Sequence, residues 1–278
     1  MKFKENIKMI KIACTDRMVP GATLTEKAEK LVKWGFDGIS MQVEDGIRGE
    51  ETTSEILSLP SKTGIRICEF SFLGDKFGLQ MSKDPEIKKA AIQYYLDSIQ
   101  ICKQVGAVTA IGYEYKPQNP LPLFEVERKM PADIEKEYTD ILEFISKNAF
   151  ENGVSLVIEA INRYETKYIN NLKDVRYFID KFPQYKMGAV ADTFHLAIEE
   201  KNIAESIRQS KGYIKEVHLG DNNRMLPGYG SLDWKSIIRA LKDIEYDGFL
   251  ALECGIPGDP DKLLPECAHY LKNLIETV

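Results

Sequence analysis

Val154-Ser155-Leu156-Val157-Ile158-Glu159 is a short apolar run that closes on a carboxylate. The pattern returns three times further on: Met187 to Ala191 before Asp192, Ile214 to Val217 before His218, and Gly248 to Leu252 before Glu253. Short, near-continuous apolar runs of this kind read as strands covered on both faces. Their four polar ends lie 33, 26 and 35 residues apart. One strand-helix unit of a (β/α)8 barrel takes about 30 residues. Each step is therefore one unit, and the four side chains converge in one bowl at the C-terminal end of a parallel barrel.

The first half of the chain carries the same alternation. Strands are expected near Lys8 to Ala13, Gly38 to Met41, Ile65 to Phe72 and Val108 to Gly112. Helix starts can be read locally. Thr23 with Glu26 forms a capping box before Ala28 to Trp34. Asp84-Pro85 opens a stretch to Val105, and Asp259-Pro260 repeats that device before the last helix. Further helices are expected over Thr52 to Leu59, Ala132 to Asn148, Leu172 to Lys181, Asn202 to Gln209 and Trp234 to Asp243. Eight strand-helix pairs and no Gly, Pro or Ser-rich linker predict an α/β fold, one TIM barrel domain over residues 1–278. The irregular segment Tyr113 to Met130 is long for a strand-to-helix connection and reads as a lid or a partner contact.

With 44% hydrophobic residues in 278, the chain can bury a full core. A net charge of −6 argues against nucleic acid or an anionic membrane, which call for clustered Lys and Arg, and favours a small-molecule partner. The five cysteines are scattered and odd in number, which predicts free thiols in a reducing compartment. Met1 to Ile12 lacks the apolar core of a signal peptide, and no run approaches the ~20 residues needed to span a bilayer, so a cytoplasmic location is expected.

Glu159, Asp192, His218 and Glu253 form a hard, oxygen-rich donor set. It suits divalent Mn, Co or Mg, whereas structural zinc would more often use thiolates. Any one of these acids alone would read as polar lining of a barrel mouth; four in register read as a metal site. Of three histidines, His195 and His218 fall at these strand ends, while His269 falls in the last helix, where a structural role is expected. His195, on the loop leaving strand six, remains open as a fifth ligand, a substrate contact or a packed loop residue. Arg224 reads as a donor to substrate oxygens or as a loop cation, with Pro227, Gly228 and Gly230 as a turn that shapes its loop. Glu165 is a substrate contact or part of a closed Asn162-Arg-Tyr-Glu165 network.

Glu159-Ala-Ile-Asn-Arg-Tyr-Glu165, Asp192-Thr-Phe-His195, His218 with Arg224, Pro227-Gly228-Tyr-Gly230 and Leu252-Glu253 together resemble the ketose 3-epimerases of the xylose-isomerase-like barrel superfamily, the group of the D-tagatose and D-psicose 3-epimerases. The likeness is dense from Val154 to Glu253 and looser before it. It implies metal ligands at Glu159, Asp192, His218 and Glu253, with Glu159 and Glu253 doubling as a catalytic acid/base pair. It also implies substrate contacts from Glu165, His195 and Arg224, and a homo-oligomer. The first half departs from the better-known members, with Cys14, Thr15, Phe70 and Phe72 at strand ends that carry aromatic residues there. The expected reaction is C3 epimerisation of an unphosphorylated ketose or keto-sugar. Aldose-ketose or hydroxypyruvate isomerisation, keto-inositol dehydration and non-enzymatic sugar binding stand as rivals. A nuclease on this barrel would call for more histidines and a basic groove.

Overall fold

A computed structural model describes residues 9–44, 49–124 and 129–278. Eight parallel strands run β1 (Lys11–Thr15), β2 (Gly38–Glu44), β3 (Arg66–Leu73), β4 (Thr109–Ile111), β5 (Leu156–Glu159), β6 (Gly188–Asp192), β7 (Ile214–Leu219) and β8 (Phe249–Leu252). They form one sheet ordered β3-β2-β1-β8-β7-β6-β5-β4. A parallel bridge between Glu69 and Val108 joins its two edges, with Phe70 N–H donating to the Val108 carbonyl at 2.9 Å and Val108 N–H to that of Cys68 at 3.0 Å. The result is the expected barrel, nearly closed, with helices in its connections. Of the strand expected from Lys8, that residue lies outside the described ones, as do Met1 to Ile7 and, in the long loop, residues 125–128.

The helices are α1 (Leu24–Lys33), α2 (Glu50–Thr63), α3 (Pro85–Val105), α4 (Ala132–Glu151), α5 (Leu172–Ile179), α6 (Thr193–Glu199), α7 (Ile203–Gln209), α8 (Trp234–Asp243) and α9 (Pro260–Thr277). Thr23, Asp84 and Asp259 cap their helices through the side chain, as the local signals predict, and Asn171, Asn202 and Asp233 do the same for three further helices. One helix departs from expectation. The segment after β6, read as a loop, is α6, and His195 sits in its first turn. Seven residues that run straight off a buried strand show no separate amphipathic period, so only the cap at Asp192 could have marked it.

Side chains alternate along a strand with period two. The residues two positions before the four strand-end groups are Val157, Val190, Glu216 and Ala251, all buried. Val157 and Val190 pack with Ala110 inside the barrel, and Ala251 packs with Ala13, Cys68 and Phe249. These side chains fill the barrel beneath the bowl. The larger apolar cluster, including Ile12, Ile39, Tyr95, Tyr138 and Leu241, joins the strands' other faces to the helices.

Candidate active site

The strand alternation carries Glu159, Asp192, His218 and Glu253 to one place. One donor atom from each lies within 4.8 Å of the other three. His218 Nδ1 stands 3.5 Å from a Glu159 oxygen and 3.2 Å from a Glu253 oxygen. Glu159, Asp192 and His218 are buried, and Glu253 is half-buried. Asp192 divides its work: Oδ1 accepts from the backbone N–H of Phe194 at 2.8 Å and of His195 at 3.2 Å, which caps α6, while Oδ2 has no hydrogen-bond partner among the described residues. Nor, among those residues, does His218 Nδ1. A buried polar atom left unpaired costs about 1–3 kcal/mol. Two such atoms in a ring of three carboxylates and an imidazole fit a divalent cation.

The electrostatics agree. Burial pushes the Asp192 carboxyl up, against the pull of His195 and Arg224. Burial would also raise Glu253, but the His218 ring and Arg224 hold it well below the usual carboxylate range. Burial would lower His218, yet Glu69, Glu253 and Glu159 keep it well above an ordinary imidazole. The protein thus concentrates negative charge around one imidazole.

The other three expected residues surround the same cavity, about 210 Å³ in volume. His195 is buried, with Nδ1 2.7 Å from Asn162 Nδ2 and Nε2 3.2 Å from Arg224 Nη1. Its position in α6 corrects the expected loop placement. Arg224 lies with its guanidinium 4.5 Å from the centre of the Phe194 ring and 3.8 Å from Glu253. It adopts a positive φ of 58°, in a loop that Asp221 organises. Asp221 accepts from the backbone N–H groups of Asn222, Gly228 and Leu232 and from Trp234 Nε1. Gly228, at φ 93°, supplies the left-handed turn. Glu165 accepts from Asn162 Nδ2 at 2.8 Å and also lines the cavity, so the loop network and the cavity position coexist. His269 is exposed on α9.

Several lining residues were missed. Gln42 Nε2 donates to Glu253 at 2.8 Å, and the Tyr115 hydroxyl to Glu159 at 3.2 Å. Tyr115 stacks on Phe77, centroids 5.2 Å apart, and packs against Gly78, where a Cβ would come within 2.5 Å of the ring. The long loop after β4 is laced to the Asn162–Glu165 turn by Lys116 N–H to the Glu165 carbonyl and Gln118 N–H to that of Tyr164, at 3.0 and 2.9 Å. On β3 the cavity meets Glu69, Ser71 and Leu73, and not the Phe70 and Phe72 that strand-end position suggested. The reason is a bulge: Ile67 pairs with Ile39 and Glu69 with Ser40, leaving Cys68 without a partner. Beyond Cys68 the two faces of β3 exchange.

Residues 28–274 match the model of the xylose isomerase-like TIM barrel family. The chain belongs to that family. It is also 33% identical over 175 residues to a D-psicose 3-epimerase of Enterocloster bolteae, a match covering 62% of this chain and 56% of the relative. A D-psicose 3-epimerase of Ruminiclostridium cellulolyticum is 32% identical over 241 residues, covering 81% and 76%. The chain thus spans little more than half of the first relative and about three quarters of the second. The fold is shared with a crystal structure of a 3-keto-D-glucoside 4-epimerase from E. coli, with a TM-score of 0.82 at 23% identity over 95% of this chain and 99% of that one. The curated relatives it matches are named as epimerases of sugars. Among the described residues, no helix is long and apolar enough to cross a membrane.

Proposed function

We propose that the chain epimerises an unphosphorylated ketose or keto-sugar at C3, with Glu159 and Glu253 as the acid/base pair. The observation that carries this reading is the pair of carboxylates on β5 and just beyond β8, three strands apart around the rim, with His218 Nδ1 between them at 3.5 and 3.2 Å. Inverting a carbon beside a ketone requires a proton to leave one face and another to arrive on the opposite face, through an enediolate. One carboxylate takes the C3 proton and becomes a carboxylic acid; its counterpart, already protonated, delivers a proton to the other face. A positioned carboxylate contributes about 10²- to 10⁴-fold as general base. Gln42 and Tyr115, bonded to Glu253 and Glu159, hold these carboxylates in orientation.

A divalent cation held by Glu159, Asp192, His218 and Glu253 would supply Lewis-acid stabilisation to negative charge on the substrate's carbonyl and hydroxyl oxygens. The donor set favours Mn, Co or Mg. Arg224, His195 and Glu165 are assigned to the sugar hydroxyls, with Arg224 fixed by its own loop before substrate arrives. The lining sets Glu69, Glu159, Glu165 and Glu253 against a single arginine, which disfavours a phosphorylated or acidic sugar. We take residues 1–278 as one domain of a cytoplasmic homo-oligomer.

The test is a panel of free ketopentoses and ketohexoses with Mn²⁺. Glu159→Gln and Glu253→Gln are each expected to lose at least ~10²-fold in kcat with metal saturating. Near wild-type turnover in either metal-loaded variant removes that residue from the acid/base pair.

A further inference from the structure

We infer that Glu69 is a positioning residue for His218, holding the ring so that Nδ1 is the atom presented to the cation. The inference rests on the proposed metal site and adds a residue that the four-ligand reading does not contain. Glu69 is 3% exposed, on a strand whose neighbouring side chains are apolar or small. Its Oε2 lies 2.8 Å from His218 Nε2 and accepts from the Ser40 hydroxyl at 2.9 Å. A carboxylate oxygen that already accepts from Ser40 is placed to accept from the ring as well, which assigns the proton in the Glu69–His218 contact to Nε2. A ring that ligates a cation has given up its second proton, and its lone pair is then on Nδ1, on the side where Glu159 and Glu253 stand. Without a partner at Nε2, the ring could take the other tautomer, with its proton aimed at the cation.

The backbone shows how Glu69 comes to be there. On a regular strand Glu69 would point the opposite way from Cys68. Cys68 packs inside the barrel with Ala13, Phe249 and Ala251, so Glu69 would face the helices. The bulge at Cys68 returns Glu69 to the interior, opposite Ser40. The same residue carries the bridge to Val108 that joins the barrel's edges. A carboxylate on the far side of a ligating imidazole is a recurrent device, and its loss typically costs 10- to 100-fold in metal affinity.

The test is Mn²⁺ binding by calorimetry on chelator-stripped protein, comparing wild type, Glu69→Ala and Glu69→Gln. Proton NMR of the Co²⁺-loaded forms reports the solvent-exchangeable ring N–H of His218 as a shifted resonance. We expect Glu69→Ala to weaken Mn²⁺ binding 10- to 100-fold and to lose the ring N–H signal to rapid exchange. Glu69→Gln, whose amide oxygen still accepts from Nε2, should lose less affinity and keep the signal. A merely structural role would lower the melting temperature and leave both readouts unchanged. Wild-type Mn²⁺ affinity in Glu69→Ala overturns the inference alone. Equal losses in both variants with the ring N–H signal retained also overturn it, because charge and not orientation would then be the cause. Absence of that signal in the loaded wild type overturns it whichever variants fold. A wild type that binds no Mn²⁺ overturns the proposed function together with it.

Discussion

Arg224 illustrates how much of a site is built by residues that do not touch substrate. Its backbone is left-handed, and its loop is anchored by Leu226, buried in the core, and by Asp221, buried and accepting four hydrogen bonds. Burial would raise the Asp221 carboxyl, but Trp234 and the backbone N–H groups of Leu232, Asn222 and Gly228 lower it below the ordinary aspartate value. A depressed carboxylate contributes stability above its unfolded pKa of about 3.9, and that contribution is lost as pH falls through the lower folded value. The fluorescence of Trp234, bonded to Asp221, should therefore titrate with a midpoint below about 3.9; a midpoint at or above that value contradicts the assignment. Asp221→Asn turns an NH2 group toward two N–H donors. It should cost about 1–3 kcal/mol for each group left unpaired, lowering the melting temperature, and should reduce kcat/KM. Unchanged values in both measurements contradict the role given to Asp221.

At the scale of the element, legibility followed the kind of signal. Glu159, Asp192, His218 and Glu253 could be placed because each ends a buried strand and the strands recur at one-unit spacing. Glu69 could not, because a one-residue bulge reverses which side chains of β3 face inward, and nothing local in Ile67-Cys68-Glu69 announces it. Tyr115 and Gln42 reach the bowl through a long loop and a strand extended past its expected end, both set by tertiary packing. Helix α6 was missed although its cap was a residue already singled out. That double use of Asp192 is testable. Asparagine caps helices about as well as aspartate but lacks the charge, so Asp192→Asn should keep the melting temperature of metal-free protein and lose divalent-cation affinity. Asp192→Ala should lose both, with about 1 kcal/mol attributable to the cap. Equal metal-free stability of Asn and Ala variants would remove the capping role.

At the scale of the whole molecule, the alternation of strands and helices made the barrel readable from end to end, because each unit repeats the same physical problem of covering a parallel strand on both faces. The reaction was less readable, since one barrel supports many chemistries and function resides in its site. Epimerisation, aldose-ketose isomerisation and dehydration all begin by removing a proton beside a carbonyl. They differ in where a proton returns and in whether water leaves. The decisive measurement is a single-turnover reaction with a free ketose in D2O, with deuterium located by NMR and the product assayed for aldose. Two opposed carboxylates exchanging with solvent predict a ketose product labelled at C3 and almost unlabelled at C1. Deuterium at C1 or C2 with an aldose product, or loss of water from the substrate, would contradict C3 epimerisation.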